Sequence, residues 1–188
     1  MVVESSLSMI LSYPRGLVMM QAHDVLEVIN QLENVDVSVW LDGGWGVDAL
    51  VGTQTREHSD VDLVISLDQF ALAQQALHAI GYVITEDELP TRFVMRDAHG
   101  RSIDFHTVTF DHDGDGVQQL QDGRLFYYPC HGFQGTGQIE NQIVRCLTAD
   151  VQVLCHLGYE PDENDYHDMH LLEEHFLIRL PAPYSSLQ

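Results

Sequence analysis

The sequence predicts an α+β domain in which a mixed β-sheet of about five or six strands carries helices packed mainly on one side. Two patterns lead there. Short alternating apolar segments bounded by glycine and Asx turns fill the middle of the chain, and segments of helical period flank and interrupt them. Size is the third observation: 188 residues with 45% apolar content suit one hydrophobic core.

The elements follow in order. Val25, Ile29 and Leu32 recur at i, i+4 and i+7, with Leu26 and Val28 widening the stripe, so residues 22–34 form an amphipathic helix. Residues 37–41 are a short apolar strand. Gly43 and Gly44 turn the chain into a helix that runs to about residue 51 and stops at Gly52. Residues 61–66 are the next strand. Asp68 is the expected N-cap of a helix ending near residue 80, before Gly81. Residues 82–85, 91–96 and 101–109 read as strands, the last two joined by a turn at His99 and Gly100. A hairpin turning at Gly123 joins 117–121 to 124–128, and 137–146 is a strand pair or one long strand. Helices over about 148–158, capped by Thr148, and 162–177 close the chain. This gives an N-terminal extension over 1–20, a domain over 21–178 with closing helices in 148–178, and a tail over 179–188 expected to fray.

Eight basic residues against 29 acidic ones give a net charge of −21. Such a surface repels nucleic acid and would attract a cationic small molecule, or it serves solubility alone. No apolar run approaches the roughly 20 residues of a membrane span. The first residues lack the basic start of a secretory signal, and three cysteines without a CxxC spacing fit buried thiols in a reducing, cytoplasmic setting.

Chemistry concentrates between Trp40 and Ile65. Alternate side chains of a strand share a face, so Asp60 and Asp62 point together, away from Val61 and Leu63. Asp104 and His106 share a face in the same way. If the two strands are neighbours, three carboxylates converge. Three hard oxygen donors suit Mg²⁺, and two such ions can stabilise the attacking and leaving oxygens of a phosphoryl displacement. Gly43 and Gly44, at a helix N-terminus 16 residues before Asp60, would let backbone N–H groups approach phosphate oxygens. A DxD or a GG alone is a common turn or solvated pair; the combination in a strand–turn–helix–strand frame is far more specific.

The GG…DxD pattern resembles the DNA polymerase β-like nucleotidyltransferase superfamily. The longer string GGWGVDALVGTQTREHSDVDL is similar to lincosamide nucleotidyltransferases and aminoglycoside 2″-nucleotidyltransferases. Further matches lie at 89–92, 103–106, 155–159 and 165–168, so the resemblance covers roughly residues 22–175. It implies the polymerase β-like fold and transfer of AMP, or another NMP, from ATP or another NTP to a hydroxyl of a small molecule. Lincosamides are the first expectation and aminoglycosides the alternative. By resemblance, Asp60 and Asp62 would ligate Mg²⁺. Asp104 would complete a second metal site or take the hydroxyl proton. Gly43 and Gly44 would cradle the triphosphate, Asp165 and Asp168 would orient the substrate or the adjoining loop unless they serve only as N-terminal helix charge, and a homodimer would be compatible. Superfamily members often place Ser after GG; here Trp45 stands there, leaving Arg56, His58 or backbone amides to hold phosphate. Arg56, His58 and Arg92 draw attention because cations are scarce, yet each could equally pair with an acid. Trp45 either stacks on base or acceptor, or locks the turn. A reading of a different class is a catalytically silent nucleotide- or ligand-binding module on this fold.

Two other motifs compete. Asp111 to Gly116 matches the first half of a calcium loop, but strands flank it and Asp122 stands where Glu is needed, so an Asx-rich turn is expected. His167 and His170 could face one another for zinc, with no third ligand defined.

Overall fold

A computed structural model describes residues 18–185. Its elements are α1 (Ala22–Glu33), β1 (Val39–Asp42), α2 (Gly43–Val51), β2 (Asp60–Ser66), α3 (Phe70–His78), β3 (Val83–Glu88), β4 (Arg92–Arg96), β5 (Ser102–Phe110), β6 (Gly116–Gln119), β7 (Leu125–Tyr128), β8 (Thr136–Ile139), β9 (Gln142–Arg145), α4 (Ala149–Cys155) and α5 (Glu163–Phe176). The sheet is mixed, as expected, but larger. Seven strands join in the order β1-β2-β5-β4-β3, with β6 on β5 and β7 on β6, while β8 and β9 form a separate ribbon. Only β2 and β5 run parallel in this sheet.

Strand alternation sorts the sheet into two faces. Val61, Leu63 and Ile65 of β2, Ile103 and Phe105 of β5, and Phe93 and Met95 of β4 point one way. They are covered by Val25, Val28, Ile29 and Leu32 of α1 and by Ala73 and Leu77 of α3. Phe93 and Phe105 stack with centroids 4.5 Å apart. Each such side chain contributes about 1.5–3 kcal/mol by leaving water, so Phe105→Ala should cost about 3–5 kcal/mol. The opposite face carries the polar residues of the same strands. It is closed at Val64 and Val108 by Leu147 and Val151. A third cluster ties Val47 of α2 to α4, α5, Leu180 and Tyr184.

Four expectations need correction. Asp68 is not a cap: it lies in a 3₁₀ turn (Leu67–Gln69), and α3 starts after Gln69 without a side-chain capping bond. Thr148 does occupy the N-cap of α4, but its hydroxyl makes no capping bond. The boundary at residue 20 is one residue too late, because Met20 is wholly buried and its N–H donates to the His58 carbonyl at 2.8 Å. Residues 1–17 of the expected extension lie outside the described residues. The tail does not fray at its start: Leu180 and Tyr184 are buried, and the Tyr184 hydroxyl donates to the His156 carbonyl at 2.7 Å.

Candidate active site

β1, β2 and β5 lie side by side, and their pairing aligns three carboxylates. Asp42 is the register partner of Asp62, and Asp62 is the register partner of Asp104. All three stand on the sheet face away from the main core. Ligand atoms of Asp62, Asp104 and His106 lie within 4.8 Å of one another. Asp60 shares their face but does not join that group. It opens β2 opposite Ser102, and burial together with the nearby Asp62 charge raises its carboxyl above the usual range. The ligand atoms that lie this close together are therefore those of Asp62, Asp104 and His106, with Asp60 two residues away on the same face of β2.

His106 Nε2 lies 3.5 Å from Asp62. Burial disfavours its charged form, but the Asp62 hydrogen bond and the charges of Asp62, Asp104 and Asp42 outweigh that and push it up to about 9. Asp42 is pushed up by burial, with the Asp62 charge adding and His106 and His156 opposing. Sequence reasoning missed Asp42 by ending the strand one residue early. The available signal was its even spacing from Trp40, which places it on the site face.

Both glycines serve close approach. Gly43 has φ +55, and a Cβ there would overlap the Asp62 carboxylate. At Gly44 a Cβ would overlap Arg56 Nη2 and sit 2.5 Å from His58 Nδ1. Asp42 caps α2 by accepting the Gly43 N–H at 2.8 Å.

The three candidate cations separate. Arg56 is partly exposed to the cavity and forms a bidentate pair with Asp168, Nε–Oδ1 2.9 Å and Nη2–Oδ2 2.6 Å. Arg92 donates to Asp104 at 2.9 and 3.1 Å and to Glu88 and Glu86 at 3.0 and 3.2 Å, so three carboxylates hold it on this wall. The Asp104 hydrogen bond is the main reason its charged form is further favoured. His58 is corrected: it is 3% exposed, with Nε2 2.6 Å from Asp48 Oδ2, and it does not line the cavity. Trp45 takes the second of its two expected roles. Its ring is buried 4.7 Å from the His58 ring, so it locks the turn and cannot stack on a ligand.

A cavity of about 690 Å³ opens over these groups, within the usual range for ligand sites. Asp42, Asp62, His106 and the start of α2 form its floor, with Arg92 beside them. Phe126 and Tyr128 of the β6–β7 hairpin form one wall, and His156, Tyr159 and Asp165 near α5 form another. Asp165 accepts from the Tyr159 hydroxyl at 2.9 Å and from the Asp162 N–H at 2.8 Å, so it caps α5 while facing the cavity. Asp168 also borders the cavity, but both its oxygens are taken by Arg56.

The family model for aminoglycoside-2″-adenylyltransferases matches residues 24–172, which span every element of this site. The chain belongs to the aminoglycoside-2″-adenylyltransferase family. It is therefore an enzyme of the nucleotidyltransferase type. A lincosamide resistance protein of Staphylococcus haemolyticus is 31% identical over 146 residues, covering 78% of this chain and 90% of the relative. A 2″-aminoglycoside nucleotidyltransferase of Klebsiella pneumoniae is 26% identical over 61 residues, 32% of this chain and 34% of the relative. The crystal structure of lincosamide antibiotic adenylyltransferase LnuA, lincomycin-bound, superposes with TM-score 0.74 at 28% identity, covering 83% of this chain and 98% of that one. ANT(2″)-Ia in complex with adenylyl-2″-tobramycin superposes at 0.66 with 17% identity, covering 83% and 89%, a likeness of fold.

The remaining motifs of this adenylyltransferase-family chain make local contacts. Asp111 turns β5 into β6: its Oδ1 accepts the N–H groups of Asp113 and Asp115 at 2.9 and 3.0 Å, the expected Asx turn. His167 Nε2 lies 3.1 Å from the Thr55 hydroxyl, and among the described residues no zinc-type cluster includes it. The cysteines are not all buried as expected: Cys146 is, Cys155 is partly so, and Cys130 is exposed. Among the described residues no helix is long and apolar enough to cross a membrane.

Proposed function

We propose that this enzyme transfers AMP from ATP to a hydroxyl of a small cationic acceptor, a lincosamide-type antibiotic, and releases pyrophosphate. The observation that carries the reading is the in-register pair Asp62–Asp104 beside the N-terminus of α2, with Asp62 on the floor of the cavity and Asp104 held next to it by Arg92.

The donor set fits Mg²⁺. Asp62 and Asp104 offer hard oxygens side by side, and Mg²⁺ is typically held by one or two carboxylates plus phosphates and water. Bound there, the ion would neutralise charge on the phosphates and polarise the reacting phosphorus. A second ion would have to draw on Asp60, two residues back on the same face. The chain's own groups do the positioning. The first amides of α2 and the free edge of Arg56 face the same space and suit the triphosphate. Asp104 accepts the proton of the acceptor hydroxyl as its oxygen bonds the α-phosphorus and pyrophosphate leaves. Arg92 holds Asp104 in place and offsets its charge. The aromatic wall of Phe126, Tyr128 and Tyr159 and the carboxylate of Asp165 suit a ring-bearing amine.

The longer match to the lincosamide resistance protein supports the lincosamide reading, while the family model favours the aminoglycoside alternative. Pyrophosphate release with ATP, Mg²⁺ and a panel of both classes tests it. Turnover with lincosamides alone is expected. Release with neither class, although ATP–Mg²⁺ raises the unfolding temperature, would reject both acceptors and favour a silent binding module.

A further inference from the structure

We propose that Asp168 is a positioning residue for the nucleotide: it holds Arg56 against the start of α2 and does not touch the acceptor. This rests on the reading that Arg56 contacts phosphate.

Geometry carries the argument. Asp168 is 1% exposed, and both its oxygens bind one edge of the Arg56 guanidinium, through Nε and Nη2. Nη1 donates to the Glu57 carbonyl at 3.2 Å. A guanidinium has five N–H groups, so one on Nη1 and one on Nη2 remain. Nη2 occupies the space that a Cβ of Gly44 would need, so its remaining N–H lies at the first turn of α2. Helix amides and a guanidinium edge that converge in this way recognise an anion bidentately. The guanidinium would otherwise swing on a long, flexible stem toward any of the many neighbouring acids. A buried carboxylate 112 residues away in sequence removes that freedom before the nucleotide arrives. The same pairing ties α5, on the acceptor side of the cavity, to the nucleotide side.

Steady-state kinetics on the full chain test this with Asp168→Asn, Asp168→Glu, Arg56→Ala and the double variant Arg56→Ala/Asp168→Asn. Asp168→Asn should raise the KM for ATP about tenfold or more, leave the acceptor KM within about twofold, and add little to Arg56→Ala in the double variant. Asp168→Glu, which keeps the charge, should recover part of the loss. Because Asp168→Asn removes the buried partner of a guanidinium, ATP–Mg²⁺ affinity is measured by calorimetry well below the unfolding temperature of the variant. A rise in acceptor KM with ATP KM unchanged would place Asp168 on the acceptor and overturn the inference. A lower unfolding temperature with both KM values unchanged would reduce the pair to a structural ion bridge and overturn it too. Arg56→Ala separates the two levels. No change in ATP affinity on that substitution removes the phosphate reading itself, whereas a change there without one in Asp168→Asn removes only the positioning role.

Discussion

Asp62 of β2 faces Asp104 of β5 across the one parallel pairing in the main sheet, and His106 sits 3.5 Å from Asp62 on the same face. Two like charges at this separation are tolerated because His106 and Arg92 lie against them, one on each carboxylate. Removing either acid should therefore damage activity without a loss of folding. Asp62→Asn and Asp104→Asn are each expected to lower kcat by about 100-fold or more, with little change in unfolding temperature. Calorimetry then divides the roles. If Asp104 is only the base, Asp104→Asn keeps ATP–Mg²⁺ binding; loss of binding would make it a metal ligand. Asp60→Ala should cost less than Asp62→Asn, since Asp60 lies outside the cluster. Equal losses would restore it to the metal site.

Gly44 has no room for a methyl group. Gly44→Ala must displace Arg56 or His58 and should destabilise the fold by about 1–3 kcal/mol while weakening ATP binding. Urea unfolding and ATP calorimetry on one preparation read both effects. An unchanged midpoint with unchanged binding would contradict the close packing at α2.

His58 is a structural residue in this arrangement. Its pair with Asp48 is buried on both sides, and Asp48 also accepts the Thr55 N–H and hydroxyl at 3.1 and 2.6 Å. Removing Asp48 leaves the buried His58 ring and the Thr55 N–H and hydroxyl without their partner, so Asp48→Ala should cost about 1–3 kcal/mol in urea unfolding. His58→Gln should lower stability more than it raises the KM for ATP. The reverse order would return His58 to the phosphate site.

Asp97 gives a pH signature remote from the cavity. Burial opposes its ionisation, but hydrogen bonds from the Arg101 side chain and backbone and from the His99 N–H outweigh that and hold its carboxyl below the usual range. A depressed carboxyl stabilises the fold above its unfolded pKa near 4, and that contribution is lost as pH falls through the lower folded value. Arg101 also pairs with Asp24 of α1, so the β4–β5 turn is fastened to the first helix. Unfolding free energy should fall as pH drops below about 4, and Asp97→Asn should flatten that slope. An unchanged slope would show that other carboxylates dominate.

One thiol should react readily. Cys130 is exposed, whereas burial pushes the Cys146 thiol up to about 12 and Cys155 well above its ordinary value. A thiol reagent at pH 8 should label one cysteine per folded chain and three in denaturant, and Cys130→Ser should remove the fast phase.

Periodicity and motif spacing alone determined much of this protein. The two-residue repeat placed Asp62 and Asp104 on polar strand faces opposite Leu63 and Phe105, and the GG…DxD pattern pointed to the nucleotidyltransferase family. These are local properties, set by backbone geometry within a few residues. What a cation or an indole does is not local. Arg56, His58 and Arg92 looked alike in the sequence, because any of them could meet phosphate or acid. Only the tertiary structure separated them: packing of α5 against α2 gave Arg56 to Asp168, the return of the chain after α2 buried His58 against Asp48 and Trp45, and pairing of β3, β4 and β5 set Arg92 among Asp104, Glu88 and Glu86. Partner choice depends on which distant segments meet, and chain order does not encode that in any short pattern. Asp42 shows the same limit: its spacing put it in phase, but only the pairing of β1 with β2 brought it beside Asp62.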